Sequence, residues 1–315
     1  MTKNIFFSLF ASLLMAGAAF AQPDGPKGSQ RVRTVSIPIS IFTKEELRQG
    51  QAEEFVQADR LIVREDKDEQ TILSIRSVVE APLALAIIIQ DDLSSSFNLQ
   101  LKDLKKFIRN LPRGSKVMVA YIRGGALQIR TRFTDDLDQA ADSLRIVASS
   151  TTVAPRNPYD GVIDALNRFD ALPAGRRAVL LISDGLDVTQ GLSNSTPTQS
   201  LDLERAITRA QRRTVSVFSI YNPASITEGG DQRLILNGQS SLARLSDETG
   251  GRAFFQGSIA PINTEPFFRE LTLLLNRQFL LSYLSTHMKR GYHRVEVLST
   301  NPTIKIEHPR GYYYR

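Results

Sequence analysis

Among its 315 residues the chain has no cysteine and no tryptophan, and it has only three histidines. Without cysteine no disulfide can hold the fold, and no thiolate can act as nucleophile or metal ligand. Stability must therefore come from a packed core. His287, His293 and His308 all fall near the carboxyl end and read as surface or sheet-edge residues rather than as a metal cluster. No Gly-x-Ser-x-Gly elbow and no phosphate-cradling Gly-Lys-Ser/Thr loop occurs. The expectation is a protein that is not an enzyme. A metal-assisted hydrolase is the remote alternative, because an aspartate after a first parallel strand can act as a nucleophile.

Charge of one sign is scarce as a block. Lysine and arginine outnumber aspartate and glutamate by 39 to 33, a net charge of +6, but the basic residues are scattered in pairs such as Lys105-Lys106, Arg176-Arg177 and Arg212-Arg213. With no aromatics between them, these pairs read as solvated helix faces and loop ends, not as a nucleic-acid site. At the amino end, Lys3 precedes an apolar stretch from Ile5 to Phe20, and Ala19-Phe20-Ala21 supplies small residues at its end. This is the pattern of a secretory signal over residues 1–21, too short for the ~20 apolar residues of a comfortable membrane span. Export to the periplasm or beyond follows, with no transmembrane segment in the mature chain.

Residues 22–30, rich in glycine and proline, read as a linker. The next segment is β-like, with strands expected at 32–42, 61–64 and 71–79, a charged turn at 65–68 and a short helix at 44–58. From Ala84 onward strands and helices alternate. Strands are expected at 84–90, 116–122, 127–133, 177–183, 214–221 and 253–256, and helices at 101–111, 135–147, 158–169, 200–213, 240–249 and 262–277. That alternation predicts an α/β fold, a doubly wound, mostly parallel sheet with helices on both faces. The tail reverts to strands at 278–285, 292–299 and 304–307, and the two β-rich extensions are the simplest partners for each other. The expected division is a signal at 1–21, linker and amino-terminal extension at 22–80, the α/β domain at 81–277, and the carboxyl-terminal extension at 278–315.

Two apolar runs end in acids. Ala84-Leu85-Ala86-Ile87-Ile88-Ile89-Gln90 stops at Asp91-Asp92 and is followed by Ser94, Ser95 and Ser96; Arg177 to Ser183 stops at Asp184-Gly185. In open α/β sheets the loops at the carboxyl ends of the strands form the binding crevice, so both acids converge on one rim if the strands are neighbours. Carboxylates with hydroxyls suit hard cations such as Mg²⁺. Asp91, out of register with the serines, reads as a capping or supporting carboxylate, and Asp187 as a loop carboxylate.

Asp-x-Ser-x-Ser at 92–96 with Ser183-Asp184-Gly185 resembles the metal-ion-dependent adhesion site of von Willebrand factor A-type domains. Leu61 to Asp66, Gln278 to Tyr283 and the terminal Arg310-Gly311-Tyr312 are similar to the exported bacterial branch of von Willebrand factor A-related proteins. The resemblance implies a Rossmann-type fold and a protein partner held at the rim, through a divalent cation (Mg²⁺, or Mn²⁺ or Ca²⁺) and an acidic side chain of the partner. The ligands it implies are Asp92, Ser94, Ser96, Asp160 and Asp184. The family's third loop carries a threonine, and two matches are open. One puts Arg156 in its place, where a guanidinium would repel an ion and replace it with a salt bridge to Asp92 or Asp184; the other puts Asp160 there as an added ligand. The first leaves the more usual spacing to Arg176-Arg177. The alternative function is a metal-free structural protein of the cell envelope.

Overall fold

The computed structural model describes residues 31–43, 45–46, 61–76, 82–148, 156–172, 175–255 and 263–314. The expected signal and linker, nearly all of the helix expected at 44–58 and most of the loop at 149–157 lie outside the described residues.

In chain order the strands are β1 (Arg33–Thr43), β2 (Leu61–Glu65), β3 (Asp68–Arg76), β4 (Leu83–Gln90), β5 (Lys116–Arg123), β6 (Ala126–Thr134), β7 (Arg176–Ser183), β8 (Val215–Tyr221), β9 (Ala253–Phe254), β10 (Gln278–Ser285), β11 (Gly291–Ser299), β12 (Ile304–Glu307) and β13 (Gly311–Tyr314). Among the described residues the α-helices longer than one turn are α1 (Leu101–Arg109), α2 (Leu137–Asp142), α3 (Pro158–Arg168), α4 (Leu201–Arg212), α5 (Gln232–Thr249) and α6 (Glu265–Asn276).

β4 is central because every one of its side chains is apolar or an amide, and all are buried. It pairs in parallel with β5 on one side and β7 on the other, within a six-stranded sheet ordered β6-β5-β4-β7-β8-β9. Alternation then assigns its faces. Leu85, Ile87 and Ile89 enter one core with Leu104, Phe107 and Ile108 of α1 and Leu271 and Leu274 of α6. Ala84, Ala86 and Ile88 enter the other with residues of α3, α4 and α5. A strand with no polar side can be stable only when both faces are covered. β6 is the one antiparallel member, joined to β5 by a turn in which Gly124 and Gly125 both take positive φ, as a tight hairpin requires.

The parallel description covers only this sheet. The flanking segments assemble into a second, larger sheet of seven strands, β12-β1-β10-β3-β2-β11-β13, antiparallel throughout. β1 runs against β10 from Arg33↔Ser285 to Ser40↔Gln278, so the two ends of the chain are interleaved. The reason is burial: Val35, Ile37, Ile39, Leu281, Tyr283, Val295 and Val297 form one core that neither end could build alone.

Three local expectations need correction. Helix α2 stops at Asp142, short of the expected 147, because the buried Tyr121 hydroxyl donates to the Arg145 carbonyl and accepts from its N–H, both at 2.8 Å. Asn98 likewise takes both backbone groups of Val147. Helix α5 begins at Gln232 rather than 240, since Asp231 accepts from the N–H groups of Arg233 and Leu234 and caps it. Arg176, read as solvated, is 1% exposed. It donates to the carbonyls of Leu275 and Gln278 at 2.8 and 3.4 Å, where α6 passes into β10, and burial pushes its guanidinium down to about 10.

Candidate functional site at the strand ends

The parallel pairing of β4 with β7 aligns Ile89 with Ile182, so the residues after them emerge side by side. Gln90, the single amide closing an apolar strand, ties the two ends together. Its Nε2 donates to Asp92 Oδ1 at 2.8 Å, and its Oε1 accepts from Ser183 Oγ at 2.5 Å and the Asp184 N–H at 3.2 Å. Gly185 follows at φ +72°, its N–H donating to Ser183 Oγ at 2.9 Å. A glycine is needed there for the angle and for space, because a Cβ would lie 2.4 Å from the carbonyl oxygen of Gly238.

Arg156 stands between the two acids. One terminal nitrogen donates to Asp92 Oδ2 and the other to Asp184 Oδ2, the latter at 2.7 Å. The residue is held by its neighbours: its carbonyl accepts from the Val188 N–H at 3.0 Å, and Asn157 caps α3 through the Tyr159 N–H at 2.8 Å. Its side chain is 10% exposed and that of Asp184 fully buried. Complete burial pushes the Asp184 carboxyl above its ordinary range, with Arg156 pulling it back. Burial works against the Arg156 charge, but Asp184 and Asp92 outweigh it and hold the guanidinium above its usual value.

The serines are also committed. Ser94 Oγ donates to Glu228 Oε1 at 2.7 Å and lies 3.0 Å from Ser96 Oγ, and the Ser94 N–H donates to the Pro223 carbonyl at 2.9 Å. Asp91 accepts from Arg145 at 2.7 Å. Asp187 accepts from the Thr189 hydroxyl and from Ser200, each at 2.6 Å. Asp160 is exposed on the first turn of α3. Its carboxyl is raised by partial burial and by Asp202, Asp187 and Asp164, with Arg205 opposing.

The structure thus brings together Asp92, Asp184 and Arg156, sets Ser94 and Ser96 beside Glu228, and places Asp160 on α3 among other acids. These groups do not fit a divalent cation. The space between the carboxylates is filled by a guanidinium that satisfies both, and the hydroxyl of Ser94 points its proton at a third carboxylate. Gln90 and Glu228 were not foreseen. A lone buried amide at the end of an isoleucine run is a usable signal for Gln90, whereas Glu228 lies 134 residues from its partner in the chain and has none.

Around this polar centre stand exposed apolar side chains. Leu99, on the 3-10 helix Ser95–Gln100, is 73% exposed, and Ile146, beside the Asn98–Val147 hydrogen bonds, is 68% exposed. Leu201, where the loop after β7 enters α4, is 72% exposed.

No family model matches the chain, and none of the curated proteins does. Solved structures do show similarity. An aerotolerance-related membrane protein from Bacteroides fragilis aligns at 13% identity over 62% of this chain and 98% of its own, with a TM-score of 0.44. A von Willebrand factor type A protein from Catenulispora acidiphila aligns at 12% identity over 90% of this chain and 73% of its own, also with a TM-score of 0.44. Proximal thread matrix protein 1 from the mussel byssus, described with a zinc-occupied MIDAS motif, aligns at 15% identity over 66% of this chain and 49% of its own, with a TM-score of 0.41. Von Willebrand factor A-type proteins are thus among the solved structures this chain resembles. At these identities the likeness assigns no role to any residue.

Proposed function

We propose that this chain is an exported, non-enzymatic binding protein of von Willebrand factor A type, whose strand-end rim holds a protein partner without a divalent cation. The observation that carries this reading is Arg156, whose two terminal nitrogens are taken by Asp92 and Asp184. A cation at such a rim offers an open coordination position to an acidic group from outside. Here the positive charge of Arg156 is committed inside the rim and is not free to meet a partner's carboxylate. Recognition falls instead to the apolar side chains around it, Leu99, Ile146 and Leu201, since exposed apolar groups bordering a polar, hydrogen-bonded surface suit a protein interface.

Support for a role other than catalysis comes from the histidines, which stand in or beside the strands of the antiparallel sheet and leave the rim without an imidazole base. Export rests on the pattern of residues 1–21. Among the described residues no helix is long and apolar enough to cross a membrane.

The test is chemical cross-linking in envelope extracts containing EDTA, comparing the wild-type protein with Leu99→Asp/Ile146→Asp. The expected result is one cross-linked partner that survives EDTA and is captured several-fold less by the double variant. Loss of capture in EDTA that Mg²⁺ restores in the wild-type protein but not in Asp92→Ala would refute cation-free binding, and equal capture by both proteins would leave the rim inert and favour an envelope scaffold.

A further inference from the structure

The antiparallel sheet carries a cluster that the rim does not use. Asp66 sits in the β2–β3 turn, where it and Lys67 both have positive φ. His287 lies between β10 and β11, and His293 on β11. One ligand atom from each of these three side chains falls within 4.8 Å of the others. Contrary to the surface reading of the sequence, His293 is 4% exposed and His287 is only part-exposed.

The hydrogen bonds of the cluster restrict where its protons can sit. Nε2 of His293 lies 2.6 Å from the Lys289 carbonyl oxygen, which can only accept, so that nitrogen carries the proton. Nδ1 of the same ring then faces two more acceptors, Asp66 Oδ2 at 2.8 Å and Glu65 Oε1 at 3.3 Å. A neutral imidazole facing two carboxylates would aim a lone pair at their lone pairs, so a proton or a metal cation must lie between Nδ1 and those oxygens. His287 approaches the same place, its Nδ1 3.8 Å from Asp66 Oδ2. Its Nε2 is 3.3 Å from Asp68 Oδ2, a distance for an ion pair, yet buried without a hydrogen bond. Each ring therefore turns Nδ1 toward Asp66 and its other nitrogen toward an oxygen, the arrangement that orients metal-bound imidazoles.

We propose that Asp66, His287 and His293, with Glu65 as the fourth neighbour, bind a divalent transition-metal ion of the Zn²⁺ class. The distances agree with that size of ion. Tetrahedral ligands about 2.0–2.1 Å from zinc lie roughly 3.3 Å from one another, and the observed separations of 2.8, 3.3 and 3.8 Å straddle that value. Two imidazoles select against Mg²⁺ and Ca²⁺, which take oxygen ligands. Glu65 is fully buried, and one of its oxygens has no hydrogen-bond partner. Its other oxygen accepts from the Tyr312 hydroxyl at 2.6 Å and Ser285 at 3.0 Å, and lies 3.6 Å from Arg33. The site would tie the β2–β3 turn to β11 and the loop before it, pinning the two ends of the chain together where their strands are interleaved. It is independent of the rim and of the function proposed for it.

The test is calorimetric titration of the EDTA-stripped full protein with ZnCl₂, followed by melting with and without the metal. One equivalent is expected to bind and raise the melting temperature. Asp66→Asn, which keeps a residue tolerant of positive φ, and His287→Ala, at a part-exposed position, should each weaken binding roughly tenfold or more. Co²⁺ in place of Zn²⁺ should give the strong visible bands of a four-coordinate site in the wild-type protein alone. Absence of Zn²⁺ binding by the wild-type protein would overturn the proposal. Binding undiminished in both variants would overturn it as well.

Discussion

Arg156→Ala is expected to destabilise the protein by about 3–5 kcal/mol at neutral pH, the cost of removing one partner from a buried ion pair. Asp184 is fully buried, and its guanidinium partner Arg156 bridges it to Asp92. Without Arg156 the two carboxylates face each other with no cation between them. The pH dependence has a definite sign. Burial already raises the Asp184 carboxyl and Arg156 opposes that rise, so its loss raises the folded-state value further. A carboxyl raised on folding favours the native state while it is protonated, and that contribution is lost as pH climbs through the raised value. The deficit of the variant should therefore be smaller at about pH 5 than at about pH 7.5. Adding Asp184→Asn, which removes the stranded charge, should recover much of the loss. Chemical denaturation of the two variants at both pH values measures this, and a loss under about 1 kcal/mol, the range of an exposed pair, would mean that Arg156 is not buried as described.

The second large effect is expected at Gly238, in the middle of α5. A Cβ built there lies 2.0 Å from the carbonyl oxygen of Asp184. Gly185 faces it from the other side, so helix and loop touch backbone to backbone. Alanine at 238 gains about 1 kcal/mol of helix propensity over glycine. Against this stands overpacking near its upper figure of about 3 kcal/mol, because the obstacle is a main-chain atom that no rotamer change can move. A net loss of roughly 2 kcal/mol follows from these two figures. The loop carrying Asp184 should also shift away from Arg156. Denaturation reads the first effect, and the distance between Asp184 and Arg156 in a crystal structure of Gly238→Ala reads the second. A variant as stable as the wild type would show that α5 does not approach the loop this closely.

Gly238 also shows why some of the fold was not legible in the sequence. An all-apolar strand such as β4 announces itself through hydrophobicity alone, and so did β7, the alternation around them and the two acids at their ends. The first half of α5 did not, because a glycine in a helix usually argues against one, and only the nearness of Asp184 explains its presence. The truncation of α2 was hidden for a similar reason: the hydroxyl that ends it belongs to Tyr121, on a strand that precedes it. Arg156 was legible as an alternative to a ligand, though not as a bridge to both acids at once. His293 read as a surface residue because its burial depends on β2 and β13, which pair with β11 from either side and lie far from each other in the chain.

On the function proposed, Arg156 fills the position a cation would take at the rim. Magnesium titration of the wild-type protein and of Arg156→Thr, read by calorimetry and by melting temperature, tests it most directly, since Mg²⁺ prefers oxygen ligands and leaves the histidine cluster aside. The wild-type protein is expected to show neither heat of binding nor a rise in melting temperature at millimolar Mg²⁺. Arg156→Thr, which removes the guanidinium and adds a hydroxyl, should gain a Mg²⁺-dependent rise that vanishes when Asp92→Ala is added. Binding of Mg²⁺ by the wild-type protein, with a rise in melting temperature abolished by Asp92→Ala, would contradict the account.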